Sequence, residues 1–503
     1  MTLAHGWGVV PSGVSGLMVK VEVDVAQGLP TVGVVGLAQA SVSESRWRVR
    51  SALVNLGFSW PNSRITIGLS PADLPKTGTS LDLPIALAIL VASDQLPQLD
   101  SGSVFIGELG LDGAIKPVPG ALAVGIAAHR HGAHRVVASV DNCGELSEID
   151  GLEVVAVQSL RHVVDVLRGA EISAQISTEQ VAVCMEDLGD FNDVRGHEQS
   201  RFALEVAAAG GHHIAMLGEP GVGKTMLAQR FTTILPELTH EQALDVTSLH
   251  TLAGRVAPGQ GLIHRPPLIA PHHSISTGAM LGSVRAGVLV PGALSLANHG
   301  VLFLDEAPEF ARPALEGMRQ PLEQGTLALM RVGHVVIAPA RFQLVLAANP
   351  CPCGNATGTG TRCTCDSATK RRYRHKLSGP LMDRIDIRLT LTKPTQAHHR
   401  MSGAESSATM AERVKLARIK ASQRWRNESW ELNAQAPGNI LRTRYRPSIK
   451  AMSLLSQAEN AGLNPRGSDR VLRLAWTIAD LENADEVSAE HLALALSMRG
   501  ESF

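Results

Sequence analysis

Apolar and polar residues alternate with period two along Met18-Val-Lys-Val-Glu-Val-Asp-Val25, the pattern of a strand with one face buried. Arg64–Gly68 reads as a second strand and Ser80–Val91 as a buried helix. A helix over Ala121–His131 is stopped by Gly132, and Arg135–Ser139 follows as a strand. This first block mixes α and β elements. Residues 170–187 are polar and without a period, which predicts a linker. A helix over His197–Ala209 ends at Gly210-Gly211, and the strand His213–Leu217 runs into a glycine-rich loop, with a helix from Lys224. Strand-then-helix alternation continues to about residue 392, which predicts a parallel sheet covered by helices. Residues 394–410, rich in Ser, Ala, His and Thr, read as a second linker, and from 411 onward the pattern is helical. No repeat of 20–50 residues is present.

A chain of 503 residues suggests about three domains. The net charge of −1 excludes a global basic field, so any contact with a polyanion has to come from local clusters or a charged pore. Aromatics make up only 3%, which argues against broad base-stacking platforms. The richest apolar stretch, Leu81–Ser93, contains Asp82 and Pro84 and is too short to span a bilayer. The first residues do not read as a signal peptide. A cytoplasmic protein with no membrane partner is expected. Six cysteines in so long a chain do not make a disulfide framework.

Gly218-Glu219-Pro220-Gly221-Val222-Gly223-Lys224-Thr225, followed by Met226, fits G-x-x-x-x-G-K-[ST] between a predicted strand and a predicted helix. Phosphates need closely approaching backbone N–H groups, a cation and a helix N-terminus. The pattern predicts an ATP site in which Lys224 reaches the β- and γ-phosphates and Thr225 ligates Mg²⁺. Val301–Leu304 is an apolar strand ending in Asp305 and Glu306. Such a strand delivers carboxylates to the edge of the sheet beside the phosphate loop. Asp305 is expected to hold Mg²⁺, directly or through water, and Glu306 to polarise the attacking water. Leu344–Ala348 is another apolar strand, and Asn349 at its end is placed to orient the water or sense the γ-phosphate. Arg384 is either an arginine supplied to a neighbour's phosphate or the partner of Asp383 or Asp386. The basic run Lys370–Lys376 reads as a solvated face.

Cys351, Cys353, Cys363 and Cys365 form two C-x-C pairs, a set of thiolates suited to tetrahedral Zn²⁺ as a structural clip; free or redox thiols are the alternative. Thr326–Pro339, broken at Gly333, reads as a β-hairpin, and Pro271 to Val290 forms another insertion. His272 and His273 are adjacent in sequence, a poor arrangement for holding one metal ion, and are assigned a structural role.

Four segments make the chain resemble, almost end to end, the magnesium-chelatase-like AAA+ ATPases of the ComM/YifB type. They are Ala270-Pro-His-His-Ser274, Gly300-Val-Leu-Phe-Leu-Asp-Glu-Ala-Pro-Glu-Phe310, Ala348-Asn-Pro-Cys-Pro-Cys-Gly354 and Ser378-Gly-Pro-Leu-Met-Asp-Arg-Ile-Asp386; Thr477–Leu481 matches as well. The resemblance implies an α/β fold: an AAA+ P-loop domain, its parallel sheet covered by helices on both faces, with a C-terminal helical lid and a preceding α+β Lon-protease-like domain. The divisions expected are 1–170 for the Lon-like domain, 171–187 for a linker, 188–395 for the ATPase core and 396–503 for the lid. It implies a homo-hexameric ring with ATP at subunit interfaces, Arg384 acting on a neighbour's ATP, and Arg466 as the lid arginine, with Arg470 and Arg473 as rivals. The two insertions resemble hairpins that such rings point into their pore. The family further implies a DNA translocase or branch-migration helicase acting on single-stranded or branched DNA in natural transformation. The alternative is a chelatase-like ATPase that remodels a protein partner. In the first block, Pro75-Lys-Thr-Gly-Thr-Ser80 resembles the Lon nucleophile segment, but Val124 stands where Lon has its lysine, which implies a non-proteolytic collar.

Overall fold

A computed structural model describes residues 2–36, 40–72, 76, 79–170, 188–257, 260–285, 287–331, 334–356, 362–393 and 405–499. The first block builds a mixed seven-stranded sheet in the order Thr31–Val35, Arg64–Ser70, Ser15–Ala26, Thr2–Ser12, Ser103–Ile106, Arg135–Ser139, Glu153–Val157. The period-two pattern of 18–25 has a physical outcome: Val19, Val21 and Val23 are fully buried on one face of Ser15–Ala26. The apolar run near residue 81 forms the helix Asp82–Ala92, buried along its whole length. Asp82 within it is matched by Arg48, whose Nε lies 2.6 Å from Oδ2. Burial pushes the Asp82 carboxyl up, against the opposing pull of Arg48.

Ser80 is buried and donates its hydroxyl to the Val9 carbonyl at 2.8 Å, while Val124 is fully buried. The hydroxyl is thus committed to the backbone, and the position of the Lon lysine carries no base. Pro75, Thr77 and Gly78 of the same segment lie outside the described residues, as do the linker 171–187 and Gly333.

The second sheet is parallel throughout, in the order Leu268–Ile269, Val301–Leu304, Gln343–Ala348, Ile214–Gly218, Ile387–Leu391. Its strands are apolar runs covered on both faces, as parallel sheets require. The Asn349 strand lies between the strand of the phosphate loop and the strand ending at Asp305. Two hairpins interrupt the alternation: Gly282–Arg285 with Val288–Pro291, and Thr326–Arg331 with His334–Pro339. Both rest on the first block. The turn at Gly13 donates its N–H to Gly287 O at 2.9 Å and accepts from Leu289 N at 3.1 Å. Val284, Leu289, Val336 and Ala338 close a small core against Leu249, with Val14 packed on it.

The C-terminal part is helical, as the composition predicts, but the second linker is shorter than expected. Residues 394–404 lie outside the described residues, whereas the helix Ser407–Trp425 already covers 407–410. Ser406 caps this helix by accepting the Thr409 N–H, so the small polar residues are helix-start chemistry and not linker. No helix among the described residues is long and apolar enough to cross a membrane.

One buried ionic knot joins the helical part to the sheet. The Asp386 carboxylate, almost fully buried, pairs with Arg470 of the helix Pro465–Leu481, accepts the His213 N–H at 3.2 Å and lies 3.4 Å from His212 Nδ1. Burial pushes Asp386 up, but Arg470 and His212 outweigh it and hold the carboxyl well below the usual carboxylate range. His213 is pushed down by burial to about 4, so its ring stays neutral and Nδ1 accepts the Leu344 N–H at 3.1 Å. Arg470→Met is expected to leave Asp386 without its main countercharge and to cost on the order of 3 kcal/mol. Thermal unfolding checks this; an unchanged midpoint would contradict it.

Candidate functional site: a phosphate loop facing two acids

The strand Ile214–Gly218 ends in the loop and the helix Lys224–Phe231 begins directly after it. Gly221 and Gly223 hold φ of +74° and +98°, a backbone that turns successive N–H groups inward and that other residues rarely adopt. Lys224 is buried, and its Nζ donates to Gly218 O at 2.7 Å, Glu219 O at 3.0 Å and Asn349 Oδ1 at 3.0 Å. Burial lowers its pKa, with Asp305 and Glu306 pulling the other way.

Thr225 donates its hydroxyl to Asp305 Oδ2 at 2.8 Å, across 80 residues of sequence. A hydroxyl and a carboxylate oxygen so close, beside the loop, are the oxygen donors that Mg²⁺ takes next to phosphates. The residues present therefore fit ATP with Mg²⁺. Glu306 is exposed and sits at φ +51°, a conformation uncommon for a non-glycine residue and one that turns its side chain away from the strand direction. Its backbone N–H is held by Asp305 Oδ1 at 2.9 Å, and its Oε2 lies 3.3 Å from His273 Nδ1.

Lys224, Thr225, Asp305, Glu306 and Asn349 thus come together as the spacing predicts. His273 is a residue that sequence reasoning did not place here; the Pro-His-His-Ser segment was the available signal, but adjacency of the histidines argued only about metal binding. Arg384 pairs with neither Asp383 nor Asp386 but with Glu323. Arg466 is exposed on the first turn of Pro465–Leu481, while Arg470 is engaged with Asp386 and Arg473 donates Nε to Ala436 O at 2.8 Å.

Directly after Asn349 comes the cysteine loop. The ligand atoms of Cys351, Cys353, Cys363 and Cys365 all lie within 4.8 Å of one another. Tetrahedral Zn–S bonds of about 2.3 Å place sulfurs about 3.8 Å apart. The Cys351–Cys353, Cys351–Cys363 and Cys353–Cys363 separations are 3.3, 3.7 and 3.7 Å. Backbone N–H groups of Asn355 and Thr364 hydrogen-bond to Cys353 and lower its pKa to about 5, whereas Cys351 is pushed up by burial and by its thiol neighbours and Cys365 is raised to about 11. The cluster can hold a metal ion.

The basic run forms the helix Ser367–Arg374, and part of it is more than a solvated face. Arg371, Arg372, His375 and Lys376 line a cavity of about 380 Å³ with Arg312, Phe310, Glu309 and Pro308, the last two following Asp305 and Glu306 closely in the chain. Lys376 Nζ lies 2.8 Å from Glu309 Oε2.

A parallel sheet with this loop and these acids defines an AAA+ ATPase, a class that works with ATP and Mg²⁺ and assembles into oligomers. The match to known families is specific: residues 190–399 match the magnesium chelatase subunit ChlI, residues 21–142 a second family described as subunit ChlI of Mg-chelatase, and residues 404–499 the C-terminal part of ChlI. The chain is 45% identical over 502 residues to an uncharacterised protein of Mycobacterium tuberculosis, covering 99% of both chains. It is 39% identical to YifB of Escherichia coli, over 97% of this chain and 95% of that one, and 37% identical to the competence protein ComM of Haemophilus influenzae, over 99% and 98%. The chain belongs to the magnesium-chelatase-like ComM/YifB family. Lon protease 2 of Bacillus subtilis is 28% identical over 184 residues, 34% of this chain and 32% of that one, in accord with the Lon-like character expected of the N-terminal block.

Proposed function

We propose that this chain is the subunit of a cytoplasmic, homo-hexameric ATP-driven ring that moves single-stranded or branched DNA, a branch-migration motor for incoming DNA. The observation that carries the ATPase half is the meeting of Lys224, Thr225, Asp305, Glu306 and Asn349 at one sheet edge. In this reading the loop N–H groups and Lys224 bind the β- and γ-phosphates, and Thr225 and Asp305 hold the cation. Mg²⁺ supplies charge neutralisation across the phosphate oxygens. Glu306 accepts the proton of the attacking water at its carboxylate, with His273 positioning that carboxylate and Asn349 orienting the water. Arg384 leaves Glu323 to reach a neighbour's ATP, and Arg466, the exposed one of three candidates, contacts phosphate from the lid. Gly218, Glu219, Pro220, Gly221, Val222, Gly223 and Met226 complete the nucleotide pocket. The divisions at 170, 187 and 395 separate collar, linker, core and lid, and the cysteine loop carries structural Zn²⁺.

The DNA half is supported by the similarity to a competence protein and by the cavity in which Arg312, Arg371, Arg372 and Lys376 outnumber the one acid, Glu309, an excess of positive charge that suits phosphodiesters. ATP hydrolysis measured with and without single-stranded and forked DNA tests it. Stimulation by DNA is expected, with log affinity falling against log salt by about 0.7 for each phosphate contacted on a single strand. Neither binding nor stimulation at moderate salt would favour instead an ATPase that remodels a protein partner.

A further inference from the structure

The cysteine loop is not remote from the nucleotide site; it is packed against the loop that holds the phosphates. Gly354, next to Cys353, sits at φ +80°, and a Cβ built on it would come within 2.6 and 2.7 Å of Cγ and Cδ of Pro220. The glycine turn leaves no room for a side chain against the proline ring, so displacement of one backbone is felt by the other. Arg362, next to Cys363, reaches Glu219, with Nη2 3.8 Å from Oε2, and Lys393 Nζ lies 3.2 Å from the same oxygen. At the loop's start stands Asn349, whose side chain accepts from Lys224. Past its end, Tyr373 hydrogen-bonds the backbone of Asn349 and closes the segment onto the same strand. Pro220 of the phosphate loop is thus packed by a neighbour of one cysteine, and Glu219, nearer to Lys393, lies within reach of a neighbour of another.

We propose that the four-cysteine cluster is a metal-locked strut of the phosphate loop: a thiophilic divalent cation, Zn²⁺, held by Cys351, Cys353, Cys363 and Cys365 fixes the positions of Gly354 and Arg362 and through them the ATP-binding conformation of Gly218–Thr225. The proposal rests on the zinc reading above. Its physical basis is that a metal held by both C-x-C pairs ties Cys351 and Cys353 to Cys363 and Cys365, and without it the cost of holding the two pairs together falls on ATP binding. The sulfurs of Cys351, Cys353 and Cys363 lie 3.3–3.7 Å apart, near the tetrahedral spacing, and all four ligand atoms lie within 4.8 Å of one another.

The test uses the full chain. Elemental analysis of freshly purified protein is expected to give one zinc per chain. Chelator-stripped protein, still folded by circular dichroism, is expected to bind a fluorescent ATP analogue at least about tenfold more weakly, with Zn²⁺ restoring the affinity. Gly354→Ala keeps all four cysteines, so it is expected to retain zinc while weakening the analogue by about tenfold, because the added carbon overpacks Pro220 and is itself strained at φ +80°. This variant also decides the matter if stripped protein unfolds. Zinc present with unchanged affinity in Gly354→Ala, or in stripped folded protein, would overturn the strut and leave the zinc reading standing. Absence of metal from fresh protein would overturn both. Failure of zinc-loaded wild-type protein to bind the analogue would instead strike at the ATP site itself.

Discussion

Lys224→Ala is expected to abolish useful ATP binding. The ammonium is buried at the loop and is held by two loop carbonyls and Asn349. Its removal deletes the positive charge meant for the phosphates and leaves those three acceptors facing each other. Truncating one member of a buried hydrogen-bonded charge pair costs about 2–5 kcal/mol, a loss of roughly thirty- to several-thousand-fold in affinity. Thr225 and Asp305 remain, so the fold and the metal-side oxygens are expected to survive, and thermal unfolding separates lost binding from lost structure. A titration with a fluorescent ATP analogue reads the effect. Near-normal affinity in folded protein would show that the phosphates lie elsewhere.

Glu306→Gln is expected to behave oppositely, holding ATP and failing to hydrolyse it. The amide keeps the shape of the carboxylate and its place beside His273, so binding should persist. It removes the base, and general-base catalysis contributes about 10²–10⁴-fold to rate. Turnover close to wild type would mean that another group takes the proton. The backbone of Glu306 supports the proposal: a non-glycine residue at φ +51° two positions after the strand Val301–Leu304 is a costly conformation, of a kind that clusters at active sites.

How much of this was legible in the sequence depends on which physical constraint each residue obeys. The phosphate loop was legible because backbone approach to phosphate demands glycines at fixed spacing, and Gly221 and Gly223 take the conformations that demand implies. Asp305, Glu306 and Asn349 were legible because an apolar run ending in a polar residue marks the exit from a buried parallel strand. Thr225 and Asp305 are 80 residues apart, and only the shared sheet edge joins them.

What was not legible is tertiary pairing. Nothing local marks Glu323 as the partner of Arg384, and the sequence neighbours Asp383 and Asp386 were the natural candidates. Asp386 instead faces inward, to Arg470 and His212, since the start of its strand is covered by the helix Pro465–Leu481. His273 reaches Glu306 from an insertion whose path no periodicity reveals. The contact of the cysteine loop with Pro220 was hidden for the same reason, although the residues on both sides of it were visible in the motifs. The early start of the helix at Ser407 was misread because capping residues share the composition of a linker.

The most direct measurement is a structure of the Glu306→Gln protein with ATP and Mg²⁺. The account predicts the triphosphate lying on the loop from Gly218 to Thr225, with Lys224 at its β- and γ-phosphates and the metal between Thr225 and Asp305. Nucleotide bound away from Lys224, or Asp305 turned from the metal, would contradict it.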